Sequence, residues 1–144
     1  MAGEQTQTLY HHTTKEGANG ILKSGHIKES TDMKIGAVYG PGVYMTSYGP
    51  EKSQEEIALN NYGNQKGIAI KILQAGKTDA IIAIDIPISQ VDKVNSIRDI
   101  YIANGNVTLR DKKYSLYVRD VCGNAIIRLQ CNSHLSSRSS NDVL

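Results

Sequence analysis

Leu9 to Thr13 reads LYHHT, Glu16 to Ile27 reads EGANGILKSGHI, and Gly40 to Thr46 reads GPGVYMT. Leu9 and Tyr10 ahead of two histidines predict a short strand that runs into a polar end. Thr13 or Thr14 then supplies an N-cap, Glu16 falls in the first helical turn, and Ala18, Ile21 and Leu22 share one face before Ser24-Gly25 stops the helix. Glu29 to Gly42, with its Ser, Thr, Asp, Gly and Pro41, predicts a loop that ends at a second strand, Val43 to Thr46. Gly40 and Gly42 lack a Cβ, which lets a ligand approach the backbone closely, and Tyr44 offers a flat ring on the strand that follows. Together the strand end, the helix and the glycine-tyrosine run describe a cleft for a planar polar ring.

Outward from these stretches, Glu51 to Asn61 predicts a second helix, with Pro50 at its start and Gly63 just past its end. Ile68 to Leu73 extends as a third. Ala80 to Ile88 reads AIIAIDIPI, a β-favouring run fit for a central strand, with Asp85 as its one charge. An ionised group in such a strand wants a reason. Gln90 to Ser96 reads as a connection. Asp99 to Ala103, Tyr114 to Val118 and Ala125 to Leu129 predict three further strands, with Asn104-Gly105 and Cys122-Gly123-Asn124 supplying turns. Short helices in the N-terminal half and strands in the C-terminal half make the expected class α+β.

The 144 residues suit one domain, and an apolar share of 40% is enough to bury a core. The expected organisation is an N-terminal extension over 1–7, a folded domain over 8–131 and a flexible tail over 132–144, where Ser, Asn and Asp dominate. Sixteen Lys and Arg against fourteen Asp and Glu leave a formal net charge of +2, too little for a general grip on phosphate backbones. MAGEQTQT lacks the basic and apolar regions of a signal peptide, and no stretch approaches about 18 apolar residues. The expectation is an intracellular protein, cytoplasmic or nuclear, with no membrane partner. Cys122 and Cys131 lack metal-ligand spacing and read as reduced, so no metal is expected. No Ser-His-Asp, HExxH, P-loop or Rossmann signature occurs. His26 and His134 read as surface residues, and Lys112-Lys113 with Arg119 as a solvated face.

LYHHT, the GILKSG helix and GPGVYMT, in that order and spacing, resemble the ADP-ribosyltransferase fold shared by diphtheria-type toxins and poly(ADP-ribose) polymerases. The likeness is closest to the small H-Y-D group of polymorphic-toxin-type domains, whose strands read like LYHYT and GxGVYLT, and it runs from about Thr8 to Leu109. The resemblance implies a split β-sheet core and NAD as substrate, with nicotinamide released and one ADP-ribose passed to a macromolecular acceptor, protein ahead of nucleic acid. It also implies that His11 binds the nicotinamide ribose, that His12 and Thr13 hold the carboxamide through backbone groups, and that Tyr44, beside Gly42, stacks on the nicotinamide ring. Tyr62, ahead of Tyr48, matches the second tyrosine that closes the other face of the ring. The third position is an acid that supports departure at C1′ by stabilising an oxocarbenium-like centre. Asp99, ahead of the alternating run Ile100-Tyr101-Ile102, and Asp85 both match it, while Asp111 reads as solvent-facing. An Asp where polymerising relatives carry Glu points to transfer of a single unit. The alternative is a catalytically inactive domain of the same fold that binds NAD or ADP-ribose. A third possibility, transfer of an RNA 2′-phosphate to NAD, needs several Arg or Lys in the cleft, and the first two strands carry none.

Overall fold

The AIIAIDIPI run does form the centre of the main sheet. The computed structural model of the chain describes residues 4–31, 39–63 and 65–131. Among these the elements are β1 (Thr6–Thr13), α1 (Lys15–Ser24), β2 (His26–Ile27), β3 (Val43–Met45), α2 (Gln54–Asn61), α3 (Lys66–Gln74), β4 (Ala80–Pro87), a 3-10 turn (Ile88–Gln90), β5 (Val91–Lys93), β6 (Tyr101–Ala103), β7 (Val107–Thr108), β8 (Tyr114–Arg119) and β9 (Ala125–Cys131). The main antiparallel sheet has the order β1-β4-β8-β9, with Leu9 opposite Ile84, His11 opposite Ile82, and Ile82 opposite Leu116. Alternation along β4 sends Ile82, Ile84 and Ile86 to one face, where they meet Leu9, Val43, Met45 and the Ala18-Ile21-Leu22 face of α1. Each such fully buried side chain stabilises the fold by about 1.5–3 kcal/mol relative to exposure.

The second sheet is smaller and has the order β3-β6-β5. The two sheets touch where Tyr10 N–H donates to Thr46 O at 2.8 Å and Thr46 N–H donates to Tyr10 O at 3.0 Å. Beyond that bridge β3 leaves β1, so the sheet is split. This is the α+β, split-sheet architecture expected.

Helix boundaries follow their caps. Thr14 Oγ1 accepts from Gly17 N–H at 2.9 Å, and Gly25, at φ +81°, closes α1 in the left-handed conformation. The absence of a side chain at Gly17 leaves room for Thr13, whose Oγ1 a Cβ there would crowd. The second helix starts later than Pro50 suggests. Ser53 and Glu56 form a reciprocal capping box, which outweighs a proline three residues upstream.

Other expectations are revised. Val91–Lys93 is a strand within the segment read as a connection, and β2 and β7 are two-residue strands too short to leave a pattern. Thr6 and Gln7 already belong to β1, and Gln5 O accepts from Ile88 N–H at 3.0 Å, so ordered structure begins inside the expected extension. Arg119 is buried rather than solvated. Its guanidinium donates to the carbonyls of Gly123 at 2.9 Å, Lys52 at 3.1 Å and Pro50 at 3.4 Å, lacing the turn before α2 to the β8–β9 hairpin. The expected tail over 132–144, with His134, and residues 32–38 of the 29–42 loop lie outside the described residues.

Candidate active site

His11 and His12 are neighbours on β1 and therefore face opposite ways. His11 Nδ1 lies 3.0 Å from Tyr44 O. A carbonyl only accepts, so Nδ1 carries the ring proton and Nε2 is left as an acceptor. Burial pushes the His11 pKa down, with a partial offset from the Tyr44 carbonyl, so the ring stays neutral at pH 7. It lines a cavity of about 390 Å³ together with Thr13, Gly17, Gly20, Ser24 and the His26 to Lys28 segment. His26, read as a surface residue, is half-exposed and belongs to the lining of the same cavity as His11.

The His12 ring takes the other face. Its Nε2–H donates to Tyr48 O at 2.8 Å, and burial pushes its pKa to about 4, helped by His11 and Arg119 and opposed by the Tyr48 carbonyl. Its side chain therefore does not share the His11 cavity. Its backbone faces the seam. Alternate residues of a strand direct N–H and C=O to opposite edges, and Tyr10 directs both of its groups to Thr46. His12, two residues on, faces the same edge just past the point where β3 has departed.

Tyr44 sits mid-strand between buried Val43 and Met45, with its ring on the opposite face from theirs. Its hydroxyl donates to Gly40 O at 2.7 Å and accepts from Tyr39 N–H at 2.8 Å, which fixes the ring plane. Gly42 is not an open approach for a ligand. It is buried at φ +154°, pairs with Ser30, and a Cβ would lie 2.4 Å from Ile102 Cγ2 and 2.7 Å from Ala103 O. Packing against β6 is its reason for being glycine. Gly40, at φ +110° with open space around it, is the glycine the turn needs.

The two acids separate clearly. Asp85 is opposite Thr8, takes a 2.6 Å hydrogen bond from Thr8 Oγ1, and lines a different cavity with Thr6, Gln90 and Arg110. The structure does not bring it to His11 or Tyr44. Asp99 lies at the head of β6, and β6 pairs with β3 so that Tyr101 is opposite Met45. Its Oδ2 accepts from Ser47 N–H at 2.6 Å, Ser47 Oγ at 2.7 Å and Thr46 Oγ1 at 2.7 Å. Burial pushes the Asp99 carboxyl up, but these donors outweigh burial and hold it below the usual carboxylate range. Among the described residues no donor reaches Oδ1. His11, Tyr44 and Asp99 thus come from three distant segments to one seam, joined through Tyr44 O and Thr46.

Tyr62 is not at this seam. It caps the C-terminus of α2 and packs on Ala58, Ala69 and Ile72, with Lys77 Nζ 5.9 Å from its ring centroid. An eight-residue helix whose apolar partner is α3 has turned that ring into its own small core. Tyr48 meets His12 by its carbonyl and lies under Lys52 Nζ at 4.9 Å. Sequence reasoning missed Asn60, Arg98 and Thr46. The signal available for Asn60 was a polar residue three positions from Ile57, hence on the buried face of a helix.

A split antiparallel sheet whose histidine strand and tyrosine strand meet at the split, with an acid delivered to the end of the tyrosine strand, defines a small α+β domain of the ADP-ribosyltransferase kind. The chain belongs to the family described as HYD1 signature containing ADP-ribosyltransferase, whose model matches residues 9–111. No curated protein and no solved structure matches it. Membership supports ADP-ribosyl transfer as the general activity. Among the described residues no helix is long and apolar enough to cross a membrane, and no group of three His, Cys, Asp or Glu could hold a metal ion.

Proposed function

We propose that this protein is an NAD-dependent mono-ADP-ribosyltransferase that breaks the bond between nicotinamide and ribose and passes one ADP-ribose to a protein side chain. The observation that carries this reading is the pairing of β3 with β6, which sets Asp99 against Thr46 and Ser47 on the Tyr44 strand while His11 Nδ1 meets Tyr44 O. His11 Nε2, neutral and aimed from a cavity wall, accepts a ribose hydroxyl. The N–H and C=O of His12 are a donor and acceptor pair for the carboxamide, and Tyr44 gives its anchored ring as the stacking surface. The cavity beside His11 takes the part of the dinucleotide that extends past the ribose, with Thr13 at its wall.

Asp99 Oδ1 then faces the sugar. As the glycosidic bond lengthens, C1′ gains positive charge, and a carboxylate already ionised and already oriented stabilises that charge without reorganising. The acceptor nucleophile forms the new bond at C1′ and gives up its proton, and nicotinamide leaves with the bonding pair. A protein acceptor is favoured over nucleic acid because the net charge is only +2 and Lys28 is the one Lys or Arg lining the described cavity. An intracellular location accords with NAD as the donor. Incubation with NAD, with nicotinamide release followed by chromatography, tests the reading. Release by the wild-type protein that is lost in Asp99→Ala and kept in Asp85→Ala supports it. No release, with NAD still raising the melting temperature, replaces it with a binding domain of the same fold.

A further inference from the structure

Asn60 is a buried polar residue, 5% exposed, in the last turn of α2. Its side-chain amide meets the backbone of Asp99 as a second peptide group would. Asn60 Oδ1 accepts from Asp99 N–H at 2.7 Å, and Asn60 Nδ2 donates to Asp99 O at 2.9 Å. The same Nδ2 bonds Asn61 Oδ1 at 3.0 Å and reaches Thr46 Oγ1 at 3.3 Å. Thr46 Oγ1 also accepts from Tyr48 N–H at 3.1 Å, so its lone pairs are engaged and its own proton is committed to Asp99 Oδ2.

The clasp is returned from the other side. Arg98, the residue before Asp99, donates from Nε to Asn60 O at 2.7 Å and from Nη2 to Asn61 O at 2.7 Å. These are carbonyls of a helix C-terminus, which need partners and favour a cation. Arg98 Nη1 further donates to Tyr39 OH at 3.2 Å, and Tyr39 N–H holds the Tyr44 hydroxyl. The α2 terminus and the 98–99 segment are therefore locked by reciprocal hydrogen bonds, side chain to main chain in both directions. A buried amide fully used in this way is not explained by helix packing, where an apolar side chain would serve at lower cost.

We propose that Asn60 is the positioning residue for Asp99: it fixes the Asp99 backbone, and with Thr46 it turns the carboxylate so that Oδ2 is held and Oδ1 is presented. This rests on the reading of Asp99 as the acid of NAD cleavage. Asn60→Leu is expected to lower kcat for nicotinamide release by about 10- to 100-fold, the scale of a misplaced catalytic group, with KM within about threefold. Added to Asp99→Ala, it is expected to cause no further loss, because it acts only through that carboxylate. An unchanged kcat, or losses that multiply in the double variant, would overturn the proposal. Asn60→Asp keeps the shape and the acceptor while removing the donors, and it stands in if the leucine variant does not fold. Should the wild-type protein release no nicotinamide, only the NAD reading fails, since NMR titration of the Asp99 carboxyl tests the clasp without turnover. Loss of Asn60 should raise that pKa toward the ordinary value of about 3.9. A pKa that stays where it is in the wild-type protein overturns the proposal on its own.

Discussion

The four-stranded and the three-stranded sheets are held by different chemistry. β1-β4-β8-β9 is made of long strands around a β4 whose Ile82, Ile84 and Ile86 are fully buried, and its cohesion is hydrophobic. β3-β6-β5 has three-residue strands, and what fastens it at the seam is polar: Thr46, Asn60, Arg98 and Asp99. Apolar burial is non-directional and sets where the strands lie. Hydrogen bonds between buried polar groups have directions and set how one carboxylate is aimed. The molecule puts the first kind of force in its scaffold and the second where an atom must be placed.

That division can be broken from either side. The largest expected effect is on turnover. Asp99→Ala should lower kcat for nicotinamide release by about 10³-fold, the scale of removing a preorganised charge-stabilising group, while Asp85→Ala stays near wild type. Equal losses in the two would dissolve the distinction between the seam and the scaffold. Next, Ile84→Ala should cost about 3 kcal/mol of stability by leaving a cavity in the main core, read as a fall in denaturation midpoint, with kcat kept at temperatures where the variant is folded. Gly42→Ala should cost about 2 kcal/mol, because its Cβ collides with β6. Chemical denaturation checks this, and a neutral result would return Gly42 to the role of an open ligand approach.

The smallest change at neutral pH concerns the paired histidines. Both imidazoles have folded pKa values below the ordinary 6.5, about 4 for His12, so the unfolded chain takes up protons first. Their neutral burial is compatible with full stability above pH 6.5, and stability falls as the pH drops from 6.5 toward 4. His12→Gln should flatten that fall in the melting temperature while changing it little at pH 7.5. An unaltered slope would assign the acid sensitivity to His11 alone.

What could be read from the sequence divides along the same line. β4, α1 and the strand at Tyr114 announce themselves by periodicity and by caps such as Thr14 and Gly25, which are local signals. Asp99 could be placed among the candidates because it precedes an alternating run. Its preference over Asp85 needed the β3-β6 pairing, which joins residues more than fifty positions apart. The packing of Tyr62 and Arg119 is not legible in the sequence for one reason: a tyrosine or an arginine in isolation does not reveal whether a helix or a hairpin will close over it. Asn60 left only the faint mark of a polar residue on an apolar helical face.

The position of β8 carries one more consequence. The segment shared with the ADP-ribosyltransferase family stops at residue 111, and every residue of the seam lies within it. β4, however, is hydrogen-bonded to β1 on one edge and to β8 on the other, with Leu116 opposite Ile82. A fragment cut at Asp111 would keep His11, Tyr44 and Asp99 and expose the open flank of its most apolar strand, an invitation to pair with another chain. The recognisable signature and the strands that complete the main sheet are therefore of different extent.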